Sequence, residues 1–268
     1  MAIITVSRGS YSRGKEIAEK VCKKLGYECI GRDTLIAASE QFNIPEIKLI
    51  RAIHDAPSIL ERFGYGKEKY IAYIQAALLR YVKKDNVIYH GLAGHFLLAG
   101  ISHVLKVRII ANWDDRVALE MEREKISMGE ARRILKSDDE QRRKWGRHLY
   151  GIDTTNPSLY DLVLHVKNLT ADDAVDIICH TVGLSHFQTT PQSQKALEDY
   201  LLASEVKAVL VDIKPDIDVS AADGVVLVRA KSKFSQEEHL VHKINEIGKS
   251  VPGVKEISIN IHPRQDVD

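Results

Sequence analysis

Apolar residues follow two spacings along the chain, and the two spacings alternate. The segment 3-IITVS-7 is a β-branched apolar run, which predicts a strand. In 15-KEIAEKVCKKLG-26 the apolar residues share one helical face, and Gly26 predicts the end of that helix. Helical spacing returns over 68–84, and 103–112 is a nearly continuous apolar run of the kind that a parallel sheet buries on both faces. The order strand, helix, strand predicts an α/β domain.

The rest of residues 1–184 continues this alternation. Helices are predicted over 27–42 (after a short strand or turn), 46–63, 114–125, 127–151 and 170–183, and strands over 86–91 and 161–166. Thr170 followed by Asp173 is typical of a capping box at the start of the last helix. Strands separated by helices predict a mostly parallel sheet flanked by helices.

A second domain is predicted after a polar stretch. The segment 185-SHFQTTPQSQ-194 has a proline and no periodicity, so it is interpreted as a linker between residues 1–184 and 195–268. The predicted elements beyond it are a helix over 195–210, a hairpin over 216–232 around an Ala-Asp-Gly turn, a helix over 235–250 and a strand over 254–261. This order predicts a small α+β unit of αββαβ type.

Composition narrows the class of protein. Hydrophobic residues make up 44% and charged residues 28% of the 268 residues, as in ordinary globular proteins. No apolar run approaches the roughly 18 residues of a membrane span, and MAIITVSRG lacks the features of an export signal. A cytoplasmic location is the default expectation. The three cysteines form no C-x-x-C pair, which argues against a disulfide framework or a zinc site.

Charge is balanced along the chain. Residues 1–184 carry 28 Lys and Arg against 24 Asp and Glu, and residues 185–268 carry 10 against 13. Neither segment has the strongly basic character of a nucleic-acid-binding domain. The balance suits a protein that binds small anions at one local site.

One short motif predicts where that site lies. The stretch 9-GSYSRGKE-16 has the spacing of a phosphate-binding loop, G-x-x-x-x-G-K-[ST], except that a carboxylate replaces the final hydroxyl. Glycines let backbone amides point at phosphate oxygens, and the following helix adds the positive end of its dipole. The predicted phosphate-binding residues are Gly9, Ser10, Ser12, Arg13, Gly14, Lys15 and Glu16. The alternative is a plain strand-to-helix turn with Lys15 and Glu16 in solvent.

A second motif supplies cations. The run 142-RRKWGR-147 holds four basic residues in six positions of a predicted helix. Phosphoryl transfer needs positive charge over the transferred group and exclusion of water, which a mobile arginine-bearing lid provides. We therefore expect Arg142 and Arg147 to be catalytic, with Arg143 binding substrate. The alternative is a solvated helix face whose bases pair with neighbouring acids.

At these motifs the chain resembles the cytidylate-kinase-like branch of the P-loop nucleoside monophosphate kinases. That group often carries G-S-G-G-[RK]-E-I-A, of which 9-GSYSRGKEIA-18 is a variant, and the similarity continues over 23–35 and 107–166. The resemblance implies a P-loop kinase-type fold and transfer of the ATP γ-phosphoryl group to CMP or dCMP. It also implies Mg²⁺ held partly through Glu16, an acceptor pocket at Arg32 and Asp33, and an Asp139 that positions Arg142.

Two departures from that pattern keep a second hypothesis open. Glu16 replaces a neutral hydroxyl, and 89-YHGLAG-94 lacks the acid and the arginine of the family's D-G-R-D segment. Both favour a nucleotide-binding regulator that keeps the pocket without turnover. His90 and His95 lie just past a strand end, where α/β folds collect ligand groups, although packed histidines are commoner than catalytic ones.

The C-terminal unit has a resemblance of its own. The segments 223-DGVVLVRAKS-232 and 251-VPGVKEISINI-261 are similar to a BON domain, which implies binding of an unidentified ligand or protein partner rather than a reaction. His239 and His242 lie one helical turn apart, but without a third ligand nearby they favour a solvated helix over a metal site. A scaffold dominated by this unit is the third hypothesis.

Overall fold

The computed structural model describes residues 2–9, 12–31, 34–35, 66–91, 93–232 and 237–263. Most of the predicted helix over 27–42, all of that over 46–63, and Ser10, Arg32 and Asp33 lie outside these residues. The strands are β1 (Ile3–Arg8), β2 (Glu28–Ile30), β3 (Val87–Tyr89), β4 (Val104–Ala111), β5 (Leu162–Val166), β6 (Asp218–Ala222), β7 (Val225–Ser232) and β8 (Glu256–Pro263). The helices are α1 (Gly14–Leu25), α2 (Gly66–Val82), α3 (Gly94–Leu97), α4 (Trp113–Glu124), α5 (Met128–Tyr150), α6 (Ala171–Val182), α7 (Pro191–Leu210) and α8 (Glu237–Lys249).

The larger sheet has five parallel strands in the order β2-β3-β1-β4-β5. Its central strand places Ile3 opposite Val87 of β3 and Val104 of β4. Successive side chains of a strand point to opposite faces. Ile3 accordingly packs in a core with α2 and α7, whereas Ile4 packs in a core with α1 and α6. The predicted α/β class, a parallel sheet covered by helices, is confirmed.

Local signals set the helix ends that border the site. Gly26 ends α1 in the left-handed region at φ 70° and donates its amide to the Cys22 carbonyl. The capping box predicted at Thr170 and Asp173 is present, with reciprocal hydrogen bonds at 3.1 and 2.9 Å. Ser127 caps α5, the longest described helix, and Gly151 ends it. None of the described helices is long and apolar enough to cross a membrane.

The smaller sheet has the order β6-β7-β8. Its first two strands form the predicted hairpin, closed by Asp223 and Gly224 with φ of 54° and 86°. A turn with positive φ at both central residues has a twist that matches that of the flanking strands. Glycine adopts positive φ more readily than other residues. With α7 before the hairpin, α8 after it and β8 paired parallel to β7, the unit has the predicted αββαβ order.

Helix α7 begins four residues before the predicted start at 195. Thr190 and Ser193 form a capping box, and Pro191 occupies the first helical turn. These polar residues, interpreted from sequence as linker, are therefore helix-start signals. The helix packs on both cores: Leu197 joins the core of the parallel sheet, and Val206 joins that of the small sheet.

Candidate functional site

A cavity of about 220 Å³ opens at the carboxyl ends of β1 and β4. These strands are parallel neighbours, with Ser7 paired to Arg108, so residues near their ends meet at one sheet edge. Its lining residues are Ser7, Arg8, Gly9, Ser12, Ala93, Arg108, Ile110, Ala111, Arg116, Asp139, Arg142, Arg143, Thr154 and Thr155. Five of these are arginines and one is a carboxylate, so the cavity is strongly cationic. Ligands of open α/β sheets bind at this edge.

The loop between β1 and α1 is anchored beside the cavity by the Ser12 side chain, which contacts both the loop and β4. Ser12 is fully buried, and its hydroxyl lies 3.1 Å from the carbonyl oxygens of both Gly9 and Ile109. Gly14 is required because a Cβ there would lie 2.7 Å from Cβ of Arg8. Arg13, the residue before α1, has φ 59°, a left-handed conformation uncommon outside glycine. The loop thus leads directly into a helix N-terminus, where anions are favoured.

Lys15 and Glu16 lie on the exposed first turn of α1. They line neither this cavity nor a second groove beside it, which Arg116 also lines. The Lys15 ammonium is 3.7 Å from Glu19, and the Glu16 carboxylate is 3.1 Å from Lys20. Exposed pairs of this kind are weak, so a bound phosphate can displace them. Glu16 is the carboxylate nearest the loop in sequence, which fits Mg²⁺ held by one protein carboxylate and substrate phosphates. Within the described ranges no cluster of three or more His, Cys, Asp or Glu residues forms a ready metal site.

Arg116 links the cavity to a second groove. It belongs to the first turn of α4, is only 11% exposed, and pairs with Asp139 of α5 at 2.7 Å. The groove beside it has a volume of about 440 Å³ and is lined by Arg13, Ala111, Asp115, Arg116, Ala118, Leu119, Glu122, Val166, Lys167, Leu169, Thr170 and Ala171. The structure pairs Asp139 with Arg116, and the expected role of Asp139 in positioning Arg142 stays a prediction. The guanidinium of Arg116, oriented by Asp139, therefore lines both the cavity and the groove.

The predicted lid arginines divide into two groups. Arg142 and Arg143 line the cavity. Arg147, on the last turn of α5, lies outside the lining and pairs with Asp153 at 3.1 Å. Hydrogen bonds from Thr155, and then from Arg147, lower the pKa of Asp153 to about 2. Because Thr155 lines the cavity, Arg147 is placed to hold the loop beside it, and its catalytic role stays a prediction.

Three cavity arginines were missed by sequence reasoning, namely Arg8, Arg108 and Arg116. None belongs to a motif. Arg8 ends β1, Arg108 lies within an apolar strand, and Arg116 follows that strand by one helical turn. The signal that points to them is their position near the carboxyl ends of two strands, which becomes informative once those strands are known to be neighbours.

His95 is buried next to this cluster. Its ring lies 4.7 Å from that of Tyr160, and within the described part of the chain neither ring nitrogen has a hydrogen-bond partner. Burial, followed by the charges of Arg108 and Lys106, lowers its pKa to about 4. His95 is therefore neutral at pH 7 and is not one of the residues that line the cavity.

Comparison with known proteins places the chain in a family. The sequence model of the cytidylate kinase-like family matches residues 3–168. A cytidylate kinase from Methanopyrus kandleri is 32% identical over 104 residues, which cover 36% of this chain and 54% of that protein. The chain thus spans about half the length of this relative.

Solved structures also align with this chain, and the first of the two described next has a similar fold. A crystal structure of an uncharacterized protein from Eubacterium ventriosum aligns with a TM-score of 0.52 and 17% identity, covering 68% of this chain and 98% of that one. Shikimate kinase from Bacteroides thetaiotaomicron aligns with a TM-score of 0.42 and 11% identity, covering 68% and 99% of the two chains. Since the family model matches more than half of its residues, this chain belongs to the cytidylate kinase-like family.

Proposed function

We propose that the protein transfers the γ-phosphoryl group of ATP to a nucleoside monophosphate, with CMP or dCMP as the preferred acceptor. The observation that carries this proposal is the five-arginine cavity at the phosphate-binding loop. Phosphoryl transfer depends mainly on positioning and on neutralising charge spread over the transferred oxygens. A cavity of this size and charge suits two phosphate groups brought together. Membership of the cytidylate kinase-like family supports the choice of acceptor.

The donor side is formed by the loop and α1. Backbone amides from Gly9 to Gly14, the N-terminus of α1 and the Lys15 ammonium hold the triphosphate. Lys15 exchanges its exposed pairing with Glu19 for the phosphate. The groove shared with Arg13 and Arg116 holds the remainder of the donor nucleotide.

When bound, Mg²⁺ neutralises charge between the donor's phosphate oxygens. Glu16 is the residue that would hold it, after exchanging its pairing with Lys20.

The remaining arginines act on the transferred group. Arg142 and Arg143 approach from α5, and Arg116 approaches from α4 with its orientation fixed by Asp139. Guanidinium groups suit this task because they make bidentate contacts to phosphate oxygens. Arg32 and Asp33 are assigned to the acceptor on sequence grounds alone. No residue of the small sheet lines this cavity among the described residues, so its role in recognition stays a prediction.

A coupled assay tests the proposal directly. ADP formation is measured with ATP, Mg²⁺ and each of CMP, dCMP, UMP, AMP and GMP, and binding of each nucleotide is measured by calorimetry. We expect ADP production that depends on the acceptor and is fastest with CMP or dCMP. Binding of ATP and a monophosphate without ADP production would overturn catalysis and indicate the nucleotide-binding regulator. Faster turnover with a purine acceptor would overturn the choice of base alone.

A further inference from the structure

Arg108 is an unusual residue for its place in the fold. It lies in β4, between β1 and β5, within a run whose other members include the fully buried Leu105, Val107 and Ile109. Its side chain is half-buried and lines the cavity. Charged groups in such places are normally paired with an opposite charge. No carboxylate of the described ranges forms an ion pair with Arg108, in contrast to Arg116.

The partner that Arg108 does have is neutral. Its Nη1 donates to the Tyr160 hydroxyl at 3.3 Å, and its guanidinium carbon lies 5.5 Å from the centre of the Tyr160 ring. The guanidinium is therefore oriented by a group that does not cancel its charge. Its remaining N–H groups are available to an anion in the cavity.

Tyr160 is itself held from several sides. Its hydroxyl donates to the Thr154 carbonyl at 2.8 Å and lies 3.2 Å from Oγ of Ser7 on β1. His95 packs against its ring from the segment after β3. Contacts from three separate segments fix the ring, so Arg108 is oriented before any ligand arrives. Preorganised donors lose less free energy on binding than mobile ones.

The arrangement of the two cavities indicates which phosphate Arg108 meets. Arg116 and Ala111 line both cavities, and Arg13 lines only the groove on the donor side. Arg108 lines only the cavity away from that groove, together with Ala93, which follows β3. The segment 89-YHGLAG-94 offers no arginine or lysine there. Arg108 and Arg8, which ends β1, are the strand-borne cations on this side, and Arg108 is the one that Tyr160 orients.

We propose that Arg108 binds the phosphate of the nucleoside monophosphate acceptor and that Tyr160 is its positioning residue. This inference rests on the proposed function, whose acceptor site it completes. A strand residue is present whether or not α5 moves, so acceptor binding does not depend on lid closure.

The test measures the binding of the acceptor and the binding of the donor separately. Binding of CMP and of ATP to the full chain is measured by calorimetry, and both KM values are measured in the coupled assay, for Arg108→Met, Arg108→Lys and Tyr160→Phe. Arg229→Met is the matched control, because Arg229 is also a strand arginine and lies in the small sheet paired with Asp218. Thermal melts show whether each variant is folded.

We expect Arg108→Met to weaken CMP binding and raise the acceptor KM roughly 10- to 100-fold, with ATP affinity changed less than about threefold. Arg108→Lys should recover part of the loss, because it restores charge without bidentate geometry. Tyr160→Phe should weaken CMP binding about three- to tenfold and leave ATP binding unchanged. The control should match the wild type.

Several results would overturn the inference. Unchanged CMP affinity in Arg108→Met, or equal losses for ATP and CMP, would do so. If Arg108→Met fails to fold, Arg108→Lys and Tyr160→Phe decide the matter by the same ratio of CMP to ATP affinity. A wild-type protein that binds CMP without producing ADP would overturn only the proposed function, whereas one that binds no monophosphate would overturn both.

Discussion

The first turn of α1 and the cavity floor carry cations of two different kinds. The cavity floor is defined here as Arg108 and Arg116 with the residues that hold them, Tyr160 and Asp139. Lys15 is 60% exposed and pairs with an acid of its own helix, whereas Arg116 is 11% exposed and pairs across two helices. Arg108 is half-buried and held by a tyrosine from a different segment. The loop and its lysine form a local motif whose charges must rearrange to meet a ligand. The cavity floor is a tertiary assembly whose charges are already oriented.

The comparison indicates how the free energy of the site is distributed. Interactions between exposed charges are screened by water, and those between partly buried charges are stronger. We therefore expect variants of the first turn to alter ligand and metal handling without altering stability. Variants of the floor should alter both.

The largest effect is expected for Lys15→Ala. Loss of the ammonium removes the contact that we propose Lys15 makes to the transferring phosphates, and such contacts are typically worth about 10²- to 10³-fold in turnover. Because Lys15 makes only an exposed pair with Glu19, the melting temperature should not change measurably. Steady-state assays and thermal melts check both parts.

Lys24→Ala is the matched control for that variant. Lys24 lies on the last turn of the same helix, half-exposed and paired with Asp176, so kcat should not change. If Lys15→Ala kept full turnover, the first turn would be an ordinary solvated helix start. A large loss of stability in Lys15→Ala would contradict the distinction between the two regions.

The second-largest effect on stability and turnover is expected for Asp139→Asn, which changes the cavity floor. Arg116 would lose its ion pair with Asp139 and the orientation that this pair provides, which should cost about 1.5–3 kcal/mol of unfolding free energy and lower kcat roughly tenfold. Urea denaturation and the coupled assay measure the two effects. Asp114→Asn is the control, because Asp114 is 86% exposed and lies 3.6 Å from Arg132. A stable and fully active Asp139→Asn would show that the pair does not organise the cavity.

Sequence reasoning succeeded where the deciding signal was local. The β1 strand, the Gly26 helix end and the Asp223-Gly224 hairpin each follow from a few adjacent residues. The start of α7 was misplaced because Thr190 and Pro191 are also common in loops, and their role as caps depends on the helix that follows.

The cavity floor could not be found in the same way. Arg108 faces Ser7 only through the pairing of β4 with β1, 101 residues apart in sequence, which no local pattern encodes. The lid arginines show the same limit at shorter range, since Arg142 and Arg147 share a motif but the structure turns only Arg142 into the cavity. The basic residues of 142-RRKWGR-147 predicted positive charge near the site, whereas tertiary packing decides which of them line the cavity.

A smaller effect is expected from His95, which tests whether the floor is desolvated. Its pKa of about 4 in the folded protein lies below the ordinary value of 6.5, because burial and then Arg108 and Lys106 disfavour its charged form. As pH falls from 6.5 to about 4, the unfolded chain binds this proton and the folded chain does not. Stability should therefore fall across that window, by about 1–2 kcal/mol between pH 7 and pH 5.

Urea denaturation at pH 7 and pH 5 checks this for the wild type and His95→Gln. The variant should lose about 1–2 kcal/mol less than the wild type between the two pH values, whatever its stability at pH 7. His239→Gln, at an exposed position of α8, is the control and should keep the wild-type difference. An unchanged pH dependence in His95→Gln would mean that water reaches the floor beside Tyr160.

The smallest effect is expected for Glu16→Gln. Its carboxylate is exposed and paired with Lys20, which is also 2.9 Å from Asp172, so loss of one partner leaves Lys20 paired and the melting temperature unchanged. Mg²⁺ in such sites is held mainly by phosphates and water, with one or two carboxylates from the protein. We therefore expect the Mg²⁺ concentration for half-maximal activity to rise only about three- to tenfold, with kcat at saturating Mg²⁺ nearly unchanged.

Asp176→Asn is the control for this variant. It removes an exposed partner of Lys24 and should leave the Mg²⁺ dependence unchanged. A Glu16→Gln variant with wild-type Mg²⁺ dependence would place the metal on the phosphates alone, and one without any activity would make the first turn as decisive as the floor.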